Sequence, residues 1–267
     1  MKITLKFNRE KRIGTVIYFV EGQSTEFTLL RTIIGKILNY DFIEKRRGKP
    51  AWFKDNSCPQ NRVYVINTSE SNISDISDKD FLDEVCEHLI NEYGLDADNA
   101  AKFYIFDRDN QSNTDKELIQ YYLKVLNEPY GDDTENEKGG LLLLSFPAIE
   151  SFVVSNFIEN AHELRFKIGQ DVKTFIGLPD NQKLIQYNKI NEDTMLHAAK
   201  EFMGYLVSVD AALDLELVGE LNELIYKKEE EEFAETGLYR VVSELVLSLM
   251  YMGIIEIGNY DYDESGV

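Results

Sequence analysis

Val16-Ile17-Tyr18-Phe19-Val20-Glu21-Gly22-Gln23-Ser24-Thr25-Glu26 is the stretch on which the fold turns. Its first five residues are β-branched or aromatic and too few for a helix, the pattern of a strand buried on both faces. Gly22 suits a turn whose backbone bends tightly or passes close to a ligand. Ser24 or Thr25 can cap a following helix, from about residue 25 to residue 38, because Phe27, Leu30, Ile34 and Ile37 fall on one helical face. Strand, turn and helix in succession leave Glu21 at the carboxyl end of a central strand. Open α/β sheets keep their sites at that edge.

The alternation continues along the chain. Arg62–Asn67 reads as a second strand, and Phe81, Leu82, Val85, Leu89 and Ile90 mark an amphipathic helix that Gly94 ends. Lys102–Phe106 is a third apolar strand running into Asp107-Arg108-Asp109. Thr114 can cap a helix carrying Leu118, Tyr121, Tyr122 and Val125. Gly139–Ser145 gives a fourth strand, apolar enough to be buried on both faces. Ile3, Leu5 and Phe7 alternate with polar residues, as in an edge strand. Such a sequence predicts an α/β fold with a four-stranded, largely parallel sheet flanked by helices over residues 1–155.

From residue 156 to 267 the patterns are mostly helical, around 192–206, 208–227 and 238–252. The last is nearly apolar all round, which predicts a buried helix or an oligomer contact such as a homodimer seam. Glu229–Glu232 and the acidic tail Asp261–Glu264 read as solvated surface.

With 267 residues, 43% of them hydrophobic and 12% aromatic, the chain can bury a sizeable core. No apolar run approaches the roughly 20 residues of a membrane span. The first seven residues lack a secretory pattern, and Cys58 and Cys86 are not spaced as ligands, so a soluble cytoplasmic protein is expected. A net charge of −20 excludes a general polyanion binder. Any dealings with nucleic acid then need a local basic patch, a bridging metal or a basic partner. The concentrated basic run is Lys45-Arg46-Arg47-Gly48-Lys49, followed by the single tryptophan, Trp52. It admits two readings: Arg46, Arg47 and Lys49 contact phosphates beside a stacking aromatic, or the loop is solvated and Trp52 packs against the body. His88, His162 and His197 share no metal-site spacing.

Glu21, Asp107, Asp109 and Glu150 each follow an apolar strand. In a parallel sheet those ends share one edge, so acids far apart in sequence can converge. Clustered carboxylates repel one another unless a cation sits among them, and hard ions such as Mg²⁺ or Mn²⁺ take such oxygen ligands. Metal-assisted phosphoryl transfer follows as the natural chemistry. Taken singly the signals are ordinary: Glu26 is what a first helical turn favours, and Asp-x-Asp is common in loops.

Strand-Glu21-Gly22 followed by strand-Asp107-Arg108-Asp109 resembles the Toprim domain of topoisomerases, primases and several nucleases. The form Glu21-Gly22-Gln23-Ser24-Thr25-Glu26, with Ser145-Phe146-Pro147-Ala148-Ile149-Glu150, is closer to the phage-defence branch: RloB-like proteins, OLD-type nucleases and the Toprim subunit of PARIS systems. The resemblance covers about residues 14–155. It implies a Mg²⁺- or Mn²⁺-dependent endonuclease acting on RNA or DNA as a defence effector. Asp107 and Asp109 then hold one ion, Glu21 serves as ligand or acid/base, and Glu26 and Glu150 complete a second site. It also implies an ABC-type ATPase partner, so the chain reads alternatively as a regulated interaction subunit. Asn110-Gln111-Ser112 after the aspartates departs from the topoisomerase and primase pattern. A receiver-like domain fits Glu21-Gly22 poorly. Lys167, Lys173 and Lys183 are available to offset charge in the reaction.

Overall fold

The computed structural model describes residues 4–22, 25–43, 51–67, 91, 99–130 and 139–258. The helix expected at 81–90, the basic residues Arg46, Arg47 and Lys49, His88, Cys86 and the acidic tail lie outside the described residues.

The chain forms β1 (Leu5–Phe7), β2 (Thr15–Val20), α1 (Thr25–Leu30, widening into a π-helical Arg31–Ile37), β3 (Asp41–Ile43), β4 (Ala51–Lys54) and β5 (Arg62–Asn67). Next come β6 (Ala101–Asp107), α2 (Lys116–Val125), β7 (Asn127–Glu128), β8 (Gly140–Phe146) and α3 (Glu150–Ser155). The remainder is β9 (Arg165–Phe166), α4 (Gly169–Gly177), α5 (Pro179–Leu184), α6 (Glu192–Ser208), α7 (Val218–Thr236), β10 (Tyr239–Arg240), β11 (Val242–Ser243), α8 (Leu245–Tyr251) and β12 (Ile255–Ile257). Among the described residues eight strands make one mixed sheet, ordered β11-β8-β6-β2-β5-β4-β3 with β7 also on β8.

The core of this sheet is parallel: β5, β2, β6 and β8 all run the same way. Their apolar runs are buried on both faces, as the unbroken hydrophobic sequence requires. Counted in chain order, these strands lie 2-1-3-4 across the sheet. The chain moves to one side of β2 to form β5 and to the other side to form β6. The order therefore reverses between β2 and β6, the kind of switch point at whose carboxyl edge α/β sheets open a crevice. Val20 pairs with Ile105, and Asp107 with Ser145, so the three strands end nearly level there.

Several expectations need correction. Leu5–Phe7 is a strand but pairs with Ile255–Ile257 in a separate antiparallel ribbon, not on the edge of the sheet. The helix expected at 208–227 spans Val218–Thr236: Asp210 has φ 56°, which interrupts a helix, and left-handed Gly237 ends the one that follows. Tyr239–Arg240 and Val242–Ser243 are two short strands, the first pairing with β9 and the second adding antiparallel to β8, and only Leu245–Tyr251 is helical. Leu245–Met250 are all buried within the chain's own core. Packing inside one chain accounts for their apolarity without a homodimer seam. No helix among the described residues is long and apolar enough to cross a membrane.

Of Glu229–Glu232, Glu231 alone is solvated surface, with only long ion pairs to Lys227 and Lys228; the other three are drawn into the body. Glu229 is fully buried and accepts from the Arg240 N–H at 2.9 Å; Glu232 bonds Arg165 and Arg240. Glu230 lies 2.8 Å from Nε of Arg108, the largest fully buried side chain, and 2.6 Å from Nζ of Lys116. Arg108 also donates to the Asn113 carbonyl at 2.7 Å and lies over the rings of Tyr226 and Tyr239. The helix that looked like charged surface thus carries the counter-ion of an arginine at the end of β6. Glu230→Ala, which strands that guanidinium, is expected to cost about 3–5 kcal/mol in chemical denaturation. Arg108→Met/Glu230→Leu, which removes both charges, is expected to recover most of that loss.

Candidate acidic site at the carboxyl edge of the sheet

Glu21 follows β2 directly, and its own N–H continues the ladder to the Ile105 carbonyl. Its side chain is 7% exposed and turns towards β6, where Oε2 accepts from the Asp107 N–H at 2.8 Å. Asn113 Nδ2 lies 3.3 Å and 3.5 Å from the two Glu21 oxygens and donates to the Asp107 carbonyl at 2.6 Å. Asp107, the last residue of β6, accepts from the Ile149 N–H through Oδ1 at 2.7 Å, which ties it to the turn before α3. Asp109 Oδ2 accepts from the Gly169 N–H at 3.0 Å, and Oδ1 accepts from Gln111 at 2.9 Å.

Glu26, in the first turn of α1, folds back over Gly22. A Cβ at Gly22 would lie 2.3 Å from Glu26 Oε2, so only glycine leaves room for that carboxyl. Glu150, the first residue of α3, is 4% exposed; Oε1 lies 3.5 Å from Lys173 Nζ, and Oε2 is buried without a hydrogen-bond partner. Lys173, on α4, is the lysine among the three sequence candidates that meets a site acid. Tyr187 hydrogen-bonds Thr25 and stands in the electrostatic field of Glu150, Glu26 and Asp107.

Mutual influence shows how close these acids are. Burial first, then Glu26 and more weakly Asp109, push Glu21 up to about 7, against the pull of the Asp107 N–H and Asn113. Burial, then Glu21, Glu26 and Glu150, hold Asp107 well above the usual carboxylate range. Burial and Glu150 raise Glu26, which Lys173 partly offsets. The Tyr187 hydroxyl is raised for the same reasons, burial first, and stays protonated at neutral pH.

Glu21, Glu26, Asp107 and Glu150 therefore share one field, with Asp109 at its margin and seated on α4. Among the described residues no three His, Cys, Asp or Glu side chains are drawn together closely enough to hold an ion as they stand, and several of the carboxylate oxygens already accept from N–H donors. In kind the donors suit a hard divalent cation: all are carboxylate oxygens, and Glu150 Oε2 has an unused lone pair. Trp52 stacks on Tyr64 at 5.7 Å, so the tryptophan after the basic run packs against the body. His162 bonds Glu201 and His197 bonds the Ser155 carbonyl, both as packing residues. Comparison with family models, with curated proteins and with solved structures finds no match for this chain.

Sequence reading missed Asn113, Gly169 and Tyr187. Asn113 lies six residues beyond Asp107, and its amide was a findable signal: it can brace both a carboxylate and a strand-end carbonyl. The other two come from a segment whose docking leaves no local pattern.

Carboxyls whose folded pKa is raised bind protons more tightly in the native state than in the unfolded one. Their contribution to stability is complete below the unfolded value of 4.5 and is lost as pH rises through about 7. In chelator, the thermal midpoint is expected to fall between about pH 5 and pH 7.5, and Glu21→Gln to flatten that slope. Gly22→Ala is expected to destabilise by no more than about 1 kcal/mol, because the methyl group displaces only the flexible end of Glu26. Restoration of stability in Gly22→Ala/Glu26→Ala would identify that clash as the cause.

Proposed function

We propose that this chain is a metal-dependent phosphodiesterase of the Toprim type that cuts nucleic acid, RNA or DNA, as an anti-phage defence effector. The observation that carries the reading is the gathering of Glu21, Asp107 and Glu150, from beyond three different strands, with Glu26 at the switch point of a parallel sheet. Such a cluster is costly to bury, since its members also repel one another. Toprim and defence assignments rest on the motifs Glu21–Glu26, Asp107-Arg108-Asp109 and Ser145–Glu150.

Glu21, Asp107, Glu26 and Glu150 would hold Mg²⁺ or Mn²⁺, with Asp109 beside them. A bound ion of this class lowers the pKa of a water nucleophile and neutralises phosphate charge. Where Glu21 does not itself bind the ion, its carboxylate would take or return a proton in the reaction. Asn113 and the Asp107 N–H fix its orientation. Lys173 brings a positive charge to the rim, beside Glu150.

With end-labelled RNA and DNA oligonucleotides and millimolar Mn²⁺ or Mg²⁺, wild type is expected to cleave. Asp107→Asn and Glu150→Gln are expected to lose about a hundredfold or more of the rate, while chelator stops the reaction. Equal cleavage by wild type and both variants would remove the site. Addition of Mn²⁺ at about pH 7.5 is expected to raise the thermal midpoint of wild type more than that of Asp107→Asn.

A further inference from the structure

On a chain of net charge −20, residues 165–189 carry five cations against two carboxylates, a net +3. This segment also supplies the Gly169 N–H that seats Asp109, the Lys173 that meets Glu150, and Tyr187. Around its last turn, Tyr187–Lys189, the positive charge is concentrated. Lys36, from the π-helical continuation of α1, donates to the Asn188 carbonyl at 2.6 Å. Lys189 donates to the Lys183 carbonyl. These acceptors are neutral, and among the described residues no carboxylate makes an ion pair with Lys36 or Lys189. Lys183 is 80% exposed and only grazes the fully exposed Asp180 at 4.0 Å. Three ammonium groups thus keep their charge at the surface next to Tyr187, whose ring is half-buried and whose hydroxyl faces the acids.

We propose that Lys36, Lys183 and Lys189, with the ring of Tyr187, form the binding surface for a single-stranded nucleic acid and lead its backbone into the acidic site. The inference rests on the phosphodiesterase reading and deepens it by naming the substrate class. Charge complementarity selects a polyanion, since ammonium groups gain most from phosphates whose counterions they release. An aromatic ring among lysines is the arrangement that grips single strands, by stacking a base while the cations follow the backbone. Depth selects a single strand over a duplex. Glu21, Glu26 and Glu150 are between 4% and 7% exposed. A duplex, stiff over about 150 base pairs, holds its phosphates on a convex surface and cannot bring one alone down to carboxylates so nearly buried. A single strand can bend its backbone inward there.

The test is fluorescence anisotropy with labelled single-stranded and duplex oligonucleotides of about 20 nucleotides, longer than the ~4–16 that one site covers. Ca²⁺ replaces Mg²⁺, and binding is measured across a salt series. Wild type is expected to prefer the single strand. Lys36→Gln/Lys183→Gln/Lys189→Gln is expected to bind at least about tenfold more weakly, with a log–log salt slope shallower by about 2. Tyr187→Leu is expected to weaken binding about fivefold or more and leave the slope unchanged. Undiminished binding by the triple variant overturns the proposal, and so does duplex binding as tight as single-strand binding. Cleavage by wild type with unimpaired binding by the triple variant leaves the phosphodiesterase standing without this surface. Selective binding lost in the triple variant, with no cleavage in any metal, does the reverse.

Discussion

Backbone N–H groups are what allow this protein to bury its acids. Removing a carboxylate from water is expensive unless its lone pairs are met, and donors fixed in the main chain meet them without added side-chain entropy. The Asp107 N–H seats Glu21, the Ile149 N–H seats Asp107, and the Gly169 N–H seats Asp109. Each of these bonds also joins two pieces of the fold: β2 to β6, β6 to the turn before α3, and β6 to α4. The groups that carry the proposed chemistry are therefore joints of the structure. What the donors leave over is the cost of burial and, after it, mutual repulsion, both seen in the raised proton affinity of Glu21, Glu26 and Asp107.

The turn that presents the aspartates is held from its other side as well. Alternation at the end of β6 sends Arg108 away from Asp107 and Asp109. Arg108 meets Glu230 of α7, itself shared with Lys116 and with the Tyr239 hydroxyl at 3.0 Å. Through Asn113, whose carbonyl takes Arg108 Nη1 and whose amide reaches Glu21, the buried cation is linked to the buried acids. A guanidinium suits this position because its donors lie in a fixed plane and can serve a carboxylate and a carbonyl at once.

How much was legible in the sequence follows from how local each signal is. Val16–Val20, Arg62–Asn67 and the run ending at Asp107 are strands buried on both faces, and unbroken apolarity is a local property; the structure has them within a residue or two. Convergence of Glu21, Asp107 and Glu150 followed from parallelism alone. By contrast, Glu229, Glu230 and Glu232 look like solvent-facing charge, as Glu231 is, because their partners, Arg108, Arg165 and Arg240, are brought to them only by folding. Residues 238–252 look like one apolar helix, since an apolar run does not distinguish a buried helix from short strands that add to a sheet and then turn. Tyr187 and Gly169 reach the site by tertiary docking, and Lys173 could be offered as a candidate but not chosen.

The large negative charge and the proposed polyanionic substrate are reconciled by range. At physiological salt, charges more than about 8 Å apart are largely screened, so most of the −20 lies too far from any one phosphate to matter. Two opposed local features then matter, the lysines at residues 183–189 with Lys36, and the nearly buried acids at the end of the sheet. On the proposed reading the acids alone would repel the phosphate that the lysines attract. A divalent cation among the carboxylates would offset part of that inner negative field and offer the phosphate a ligand, so cation and substrate would each favour the binding of the other, by the same factor in both directions. The basic rim then sets where the strand lies, and the occupancy of the acids decides whether a phosphate descends.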